Sequence, residues 1–244
     1  MRANSLLVGI ASLLLAASGL AAAAPRVPAF IKAAVADASR PEEDRARDAD
    51  RKPAETLAFA GVRPGMKIAE LAPGGGYFTR MLTNAVGPKG KVYGLSTRSS
   101  AALEDYAKTH PTFRFITIQP VNVPVPEPVD LFWTTLNYHD FKNLRAGDVD
   151  AAAAYNAVAF KMLKPGGIYL INDHHGAAGT GATQTRTHHR IEMAQVIKEV
   201  EAAGFKLDAQ SDILRHPDDN RAAPISDSTR GKTDQFLLRF RKPR

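Results

Sequence analysis

Two stretches of the sequence place histidine beside aspartate at the end of a predicted strand. His139 and Asp140 follow one strand, and Asp173 and His174 close the next strand along the chain. Because the carboxyl ends of parallel strands meet at the same edge of a sheet, we expect these side chains to border one ligand pocket. An imidazole held by a carboxylate can take up a proton near neutral pH. The pattern therefore predicts proton transfer, with His139 as the general base and Asp140 or Asp173 orienting its ring.

Two further histidines, His188 and His189, stand at the start of a predicted helix over residues 187–203. The first turn of that helix would direct them toward the same pocket. Each histidine also has a purely structural interpretation, as a residue that caps the end of a strand or helix. The chain contains no cysteine, which excludes thiolate nucleophiles, disulfides and cysteine-ligated metal sites.

A glycine-rich turn follows the first predicted strand, which ends near Glu70. The turn, Pro73-Gly74-Gly75-Gly76, lacks both the GxxxxGK[ST] spacing of a P-loop and the GxGxxG spacing of a dinucleotide site. Glycine lets the backbone approach a ligand closely, and the N–H groups at a helix start attract a carboxylate. An acid followed by such a turn suits a ligand with an adenosine and a charged amino-acid tail. We predict that residues 74–76 form the ligand site, and that Gly74→Val would fill it.

The elements that must position these residues alternate between strand and helix along most of the chain. This order predicts an α/β fold with a doubly wound, Rossmann-like, seven-stranded and mostly parallel sheet. No helix separates the last two strands, so we expect the last strand to be antiparallel. Pro53 should kink or divide the first helix. The predicted helices cover residues 42–60, 77–86, 100–108, 151–163 and 187–203. The predicted strands cover residues 67–71, 91–96, 113–118, 129–136, 166–173, 205–214 and 234–241.

The composition is that of a globular chain with a leader. The chain has 244 residues, of which 44% are hydrophobic and 23% charged, enough for one well-packed domain. Its net charge of +7 comes mostly from interleaved charges, and the basic run at residues 239–244 is too short to predict nucleic-acid binding. Residues 1–24 read as a signal peptide, which predicts a periplasmic or secreted protein without a membrane span after cleavage. An N-terminal arm (25–41) and a domain (42–244) follow.

Several runs of the sequence resemble a known superfamily. GVRPGMKIAELAPGGGYFTRML, GPKGKVYGLS and LKPGGIYLINDH are similar to class I S-adenosylmethionine-dependent methyltransferases. The region from GTGATQTRTHHRIE to RGKTDQFLLRFRKP looks more narrowly like a family of exported, predicted methyltransferases, and the likeness covers residues 38–243. The resemblance implies the class I methyltransferase fold, S-adenosyl-L-methionine as cofactor, and an unknown small-molecule or exported methyl acceptor.

The resemblance also implies which residues hold the cofactor. The strand-one acid and the turn would contact its methionine part, Ser96 its ribose, and Asn122 its adenine. Most such enzymes place aspartate or glutamate where this chain has Ser96, and losing a charge-assisted hydrogen bond costs about tenfold to a hundredfold in affinity. The implied cofactor residues are Glu70, Ala72, Gly74, Gly75, Gly76, Ser96 and Asn122. A charged segment with Arg47, Asp48, Arg51 and Lys52 would cover the pocket.

Other interpretations stay open at this point. Related O-methyltransferases can hold a divalent ion at the ends of strands four and five, where Asp140, Asp173 and His174 would be the ligands. The sequence has no tight metal motif such as HExxH, so we assign no residue to a metal. The exported location and Ser96 favour an alternative function, that of a non-catalytic ligand-binding protein on the same fold. Metal-dependent hydrolysis by the His/Asp residues is a third possibility.

Overall fold

The computed structural model describes residues 26–119, 122–226, 229 and 231–244. The predicted signal peptide lies outside the described residues. Over those residues the helices are α1 (Ala29–Val35), α2 (Glu42–Arg45), α3 (Asp48–Arg51), α4 (Pro53–Phe59), α5 (Tyr77–Val86), α6 (Ala101–Thr109), α7 (Tyr138–Phe141), α8 (Ala151–Met162) and α9 (Met193–Ala202). The strands are β1 (Lys67–Leu71), β2 (Lys91–Ser96), β3 (Phe113–Thr117), β4 (Val129–Thr135), β5 (Arg145–Ala146), β6 (Val149–Asp150), β7 (Leu163–His174), β8 (Lys206–Ser211) and β9 (Gln235–Arg241).

Within the described part of the chain, seven strands form one mixed sheet in the order β3-β2-β1-β4-β7-β9-β8. The first five are parallel, and β9 runs antiparallel to both of its neighbours. The predicted fold class is therefore confirmed, including the antiparallel last strand. The sequence pattern did not indicate that β9 inserts between β7 and β8. A separate two-stranded hairpin, β5-β6, was not predicted either.

The central strands are apolar on both faces because helices cover the sheet from both sides. Along β4, Phe132 packs into one hydrophobic core and Leu131 and Trp133 into the other. The chain order reverses between β1 and β4, which are paired with Leu71 opposite Thr134. In open α/β sheets the ligand crevice lies at such a reversal, beyond the carboxyl ends of the strands. Both the glycine-rich turn after β1 and the histidine stretch after β4 lie there.

The N-terminal segment forms four short helices over the start of this crevice. The predicted division at Pro53 is confirmed: Lys52 adopts a left-handed backbone (φ 41°) and Pro53 opens α4. A second break at Ala46 separates α2 from α3. The Arg40 guanidinium donates two hydrogen bonds to Asp48 (2.7 and 2.8 Å), and the Tyr77 hydroxyl donates to the same carboxylate (2.7 Å). These bonds, with the packing of α1 on α5, fix the segment over the turn.

The helix predicted over residues 187–203 is too long at its start. Helix α9 begins only at Met193, because His189 adopts a left-handed backbone (φ 54°) that a helix cannot contain. Ile191 then pairs with His175 in an isolated parallel bridge, donating its N–H to His174 O (3.1 Å). His188 instead ends a run of turns, with its N–H donated to Gln184 O (2.9 Å), and His189 lies in a bend, so neither belongs to the first turn of α9. Among the helices of the described residues, none has the length and apolarity needed to cross a membrane.

Candidate active site

A cavity of about 390 Å³ lies at the reversal between β1 and β4. This volume lies in the range of ligand pockets in proteins. Four parts of the chain line it: the glycine-rich turn, the corner after β4, the α3 region, and the chain next to β9. The lining residues include Glu70, Ala72, Gly74, Gly75, Thr135, Leu136, Asn137, Arg47, Asp50, Arg51, Gly231 and Gln235. Most of the residues predicted to bind the ligand at the turn are thus brought together.

The three glycines of the turn have different roles. A Cβ built on Gly74 or Gly75 would meet no atom within 4 Å, so both leave space at the cavity wall. A Cβ on Gly76 would lie 2.7 Å from the Leu103 side chain and 3.1 Å from that of Arg80. Position 76 therefore has no room for a side chain, because α6 packs against it. Gly76 does not line the cavity. Its predicted ligand contact gains no support from this placement.

Glu70 lies buried at the end of β1, 3% exposed, on the cavity wall. Burial raises the pKa of its carboxyl to about 7, and this effect outweighs the opposing hydrogen bond from Thr79 and the charges of Arg51 and Arg80. The Thr79 hydroxyl donates to Glu70 Oε2 at 2.6 Å. A carboxyl group in this state gains a proton or a cationic partner readily, because either relieves the cost of a buried charge. The cavity can therefore accept a positively charged ligand group beside Glu70.

Of the four charged residues expected to cover the pocket, Arg47 and Arg51 line the cavity, whereas Asp48 and Lys52 do not. The Arg51 guanidinium lies 4.3 Å from the centre of the Tyr77 ring and 5.2 Å from that of Phe78. Burial lowers the pKa of Arg51, although an arginine stays charged at any physiological pH. Its side chain forms no hydrogen bond within the described part of the chain. The structure thus places an arginine cation opposite the turn, where it can meet an anionic ligand group.

The predicted His/Asp cluster assembles beside this cavity, and Asp173 is the residue that orients His139. The His139 Nδ1 and backbone N each lie 2.7 Å from the Asp173 carboxylate, and His174 N donates to it at 2.8 Å. Asp173 is fully buried. Burial would raise its pKa, but the two histidines and these hydrogen bonds lower it overall. An ionised Asp173 can only accept, so His139 Nδ1 carries the proton and Nε2 has the lone pair in the neutral ring.

The other members of the cluster differ in what they face. Asp140 does not orient the ring from Nδ1, because its carboxylate lies 3.4 Å from His139 Nε2. His174 Nδ1 lies 2.7 Å from the Thr233 hydroxyl, and its ring centre is 5.8 Å from that of His139. His189 Nδ1 lies 3.5 Å from the same Asp140 oxygen. Sequence reasoning placed His189 near the pocket for the wrong reason, as part of a helix.

The cavity and the cluster share the corner after β4. Leu136 has a left-handed backbone (φ 57°), as has Ala72 (φ 55°) at the end of β1. Asn137 joins these two chain ends by donating to Thr135 O at 2.5 Å and to Ala72 O at 3.3 Å. Backbone strain of this kind persists where the surrounding structure holds it, and it concentrates at functional sites. His139 follows only two residues after Asn137, so a short stretch of chain connects the cavity with the cluster.

Ser96 and Asn122, the predicted ribose and adenine contacts, do not line this cavity. Ser96 ends β2, and its hydroxyl accepts a hydrogen bond from Arg98 N at 3.0 Å. Asn122 lines a different cavity with Val123 and Glu127, and its backbone pairs with Gln119. The cavity described above therefore covers only the part of the predicted ligand that lies at the turn, and the Ser96 and Asn122 contacts stay predictions.

Solved structures with similar folds were found at low sequence identity. A SAM-dependent methyltransferase from Aquifex aeolicus has a TM-score of 0.57 and 18% identity, over 79% of this chain and 88% of that one. An arsenic(III) S-adenosylmethionine methyltransferase from Chlamydomonas reinhardtii has a TM-score of 0.54 and 17% identity, over 91% and 75%. The [4+2]-cyclase SpnF has a TM-score of 0.58 and 14% identity, over 85% and 84%. The sequence matches no protein-family model and no curated protein. The chain therefore has the class I methyltransferase fold, on which the cyclase is also built.

Proposed function

We propose that this protein is an S-adenosyl-L-methionine-dependent methyltransferase with an unknown small-molecule or exported acceptor. The observation that carries the proposal is the pair of opposite charges around the open turn. Glu70 is a buried carboxyl whose pKa is raised to about 7, and Arg51 is a cation over the rings of Tyr77 and Phe78. Gly74 and Gly75 leave open space beside them. This arrangement is complementary to the ammonium and carboxylate of an amino-acid tail.

The residues present fit such a cofactor at its amino-acid end. Glu70 would meet the ammonium group, which offsets the desolvation cost that the charges of Arg51 and Arg80 leave uncompensated. Arg51 would bind the carboxylate, and the backbone at Gly74 and Gly75 would allow close approach. When bound, the cofactor supplies an activated methyl group. The fold class is associated with this cofactor, but a fold does not by itself specify an activity.

On the acceptor side, the His139–Asp173 pair gives the protein a means of removing a proton. Asp173 holds the ring so that Nε2 has the lone pair, and Nε2 faces Asp140 at 3.4 Å. A hydroxyl or amine acceptor loses a proton as it gains a methyl group, and a fixed imidazole can take that proton. The alternative function, a non-catalytic binding protein, has no need of this oriented pair, and the structure does not favour it.

The proposed ligand site is tested by calorimetry of the mature protein with S-adenosyl-L-methionine and with a Gly75→Val variant. Gly75 is a better test than Gly74, because Gly74 has a left-handed backbone (φ 57°) and a side chain there would be strained. We expect micromolar binding by the parent. Valine at position 75 would occupy the ligand space, and overpacking by a few atoms should weaken binding at least about tenfold.

Ala102→Val, on the exposed face of α6, is the matched control and should bind as the parent does. Melting temperatures of all three proteins show whether the fold is intact. No binding by the parent up to millimolar cofactor would overturn the proposed function. A folded Gly75→Val protein with parental affinity would overturn the assignment of the site.

We also propose that the protein is exported to the periplasm or secreted. The support is the leader in residues 1–24, with Arg2 before an apolar stretch and alanines after it. N-terminal sequencing of the protein from separated cell fractions should give a start near residue 25 in the periplasm or medium. A full-length protein that begins at Met1 and remains in the cytosol would disprove export.

A further inference from the structure

Three side chains at the edge of the cluster have the spacing of metal ligands. His139 Nε2 and His189 Nδ1 lie 3.4 and 3.5 Å from the same oxygen of Asp140, and one ligand atom from each residue lies within 4.8 Å of the others. Nitrogen and oxygen ligands lie about 2.0–2.2 Å from Zn²⁺, so two ligands at a tetrahedral angle are about 3.4 Å apart. Hydrogen bonds between such groups are usually shorter, at about 2.7–3.2 Å. The observed separations therefore suit an ion between the groups better than direct bonds.

The buried carboxylate of Asp173 gives independent support. It lies 2.7 Å from His139 Nδ1, whereas Asp140 lies next to the other ring nitrogen, Nε2. Histidines that bind metals almost always donate their second N–H to a carboxylate or carbonyl, which fixes the tautomer and makes the ligating nitrogen more basic. Here that carboxylate is fully buried and also accepts from two backbone N–H groups, so it cannot rotate away. His139 Nε2 is thus presented as a ligand.

The chain around His189 fixes the backbone of this residue beside the cluster. His189 has a left-handed backbone (φ 54°), an unfavourable conformation for a residue with a side chain. The next residue, Arg190, is buried and forms two hydrogen bonds with Asp219 (2.7 and 3.1 Å) and one with His175 O (3.1 Å). The His189 ring centre lies 5.5 Å from that of His139, and the planes are nearly perpendicular. A well-anchored backbone therefore keeps the second imidazole beside the first.

We infer that His139, Asp140 and His189 bind a divalent transition-metal ion such as Zn²⁺ or Fe²⁺. The ligand set differs from the one considered in the sequence. Asp173 is occupied by His139 and His174, and His174 Nδ1 by Thr233. Two imidazoles with one carboxylate suit zinc or iron rather than Mg²⁺ or Ca²⁺, which prefer oxygen ligands. Three protein ligands would leave at least one coordination position for a further molecule, as in catalytic metal sites.

The metal site can be tested separately from cofactor binding, because its ligands lie outside the glycine-rich cavity. It shares His139 Nε2 with the proposed proton transfer, so an ion bound there would occupy the lone pair that a general base needs. It is tested with untagged mature protein that has been dialysed against a chelator. Titration of Zn²⁺ in competition with a chromophoric chelator should give one ion per chain. Co²⁺ should bind at the same site and show visible absorption bands from imidazole and carboxylate ligands. A large excess of Mg²⁺ should not displace either ion.

Two variants and a matched control decide which residues bind the ion. His189→Ala removes a half-exposed ligand (side chain 53% exposed) and should weaken Zn²⁺ binding by more than about a hundredfold, since loss of an outer partner alone costs about 10–100-fold. Asp173→Asn, which removes the outer partner, should fall in that lower range. His188→Ala is the control, because its Nδ1 contacts the Thr187 hydroxyl and it is no part of the site.

The inference is overturned if the parent binds no stoichiometric Zn²⁺, or if His189→Ala and His188→Ala bind it equally well. If Asp173→Asn does not fold, the comparison of His189→Ala with His188→Ala is sufficient, because His189 is exposed and its replacement leaves the core intact. Calorimetry of His189→Ala with S-adenosyl-L-methionine separates the two sites. Parental cofactor affinity together with lost Zn²⁺ binding would establish the metal site, whereas absent cofactor binding by the parent would contradict only the proposed function.

Discussion

Replacing His139 by asparagine should lower methyl-transfer turnover by about 10²–10⁴-fold, the usual contribution of a general base. Asparagine can still donate to Asp173 from nearly the position of Nδ1, so the buried carboxylate keeps a partner. What is lost is Nε2, the atom that lies 3.4 Å from the Asp140 carboxylate. Proton removal by the ring and binding of an ion both use that atom. The variant therefore tests the chemical role of His139 while preserving its structural one.

The measurement is the rate at which the cofactor is converted to S-adenosylhomocysteine, in the presence of a cell extract that supports turnover by the parent. Cofactor affinity should change by less than about twofold, since His139 lies beyond the cavity wall at Asn137. His188→Asn is the control and should keep parental turnover. Parental turnover by a folded His139→Asn protein would show that the residue is structural only.

Glu70→Gln should stabilise the protein without ligand by about 3 kcal/mol at pH 8. Burial raises the pKa of Glu70 from 4.5 to about 7 in the folded protein. Between pH 4.5 and about 7 the folded protein keeps a proton on Glu70 that the unfolded chain has released. The free energy of unfolding therefore falls as the pH rises, and the loss is complete above the pKa of the folded protein. Glutamine has no proton to lose, and its oxygen can still accept the Thr79 hydroxyl. The advantage of the variant should disappear below about pH 4.5.

Thermal unfolding across pH 4–9 measures this effect. For a domain of this size, about 3 kcal/mol corresponds to a rise in melting temperature of about 6–12 °C. Glu104→Gln on the exposed face of α6 should stay within about 0.5 kcal/mol of the parent. Glu70→Gln should also bind the cofactor more weakly, because the ammonium group loses its carboxylate. If the melting temperatures of parent and variant depend equally on pH, burial does not raise the pKa of Glu70.

The fold was predictable because its signals are local. Strands β1, β2 and β4 are short and largely buried runs, Pro53 divides the first helical region, and the run at residues 74–76 marks the turn beyond β1. The acid before the turn, Glu70, was indicated by its position, and Arg47 and Arg51 by the family resemblance, and all three line the cavity. The strands, the break at Pro53 and the turn depend on neighbouring residues in the chain, which a sequence displays directly.

The details of the site were less predictable because they depend on distant contacts. In the sequence Gly76 resembles a ligand-binding glycine. In the structure, Leu103 of α6 lies so close to Gly76 that a side chain would not fit there. Asp140 and Asp173 were equal candidates to orient His139 until the packing of α7 on β7 selected Asp173. His189 reaches the cluster through a single left-handed residue, a conformation that no periodic pattern predicts for histidine.

Docking of the N-terminal segment is coupled to ligand binding in the cavity. Arg47, Asp50 and Arg51 belong to this segment and line the cavity. The hydrogen bond from the Tyr77 hydroxyl to Asp48, which Arg40 holds within the segment, joins the segment to the rest of the domain. A ligand that contacts these residues favours the docked segment over a detached one. The coupling is reciprocal: if docking of the segment increases ligand affinity by a given factor, the bound ligand increases the docking equilibrium constant by the same factor. Local unfolding of residues 26–59 should therefore be the opening event that hydrogen exchange reports, and ligand occupancy should slow it.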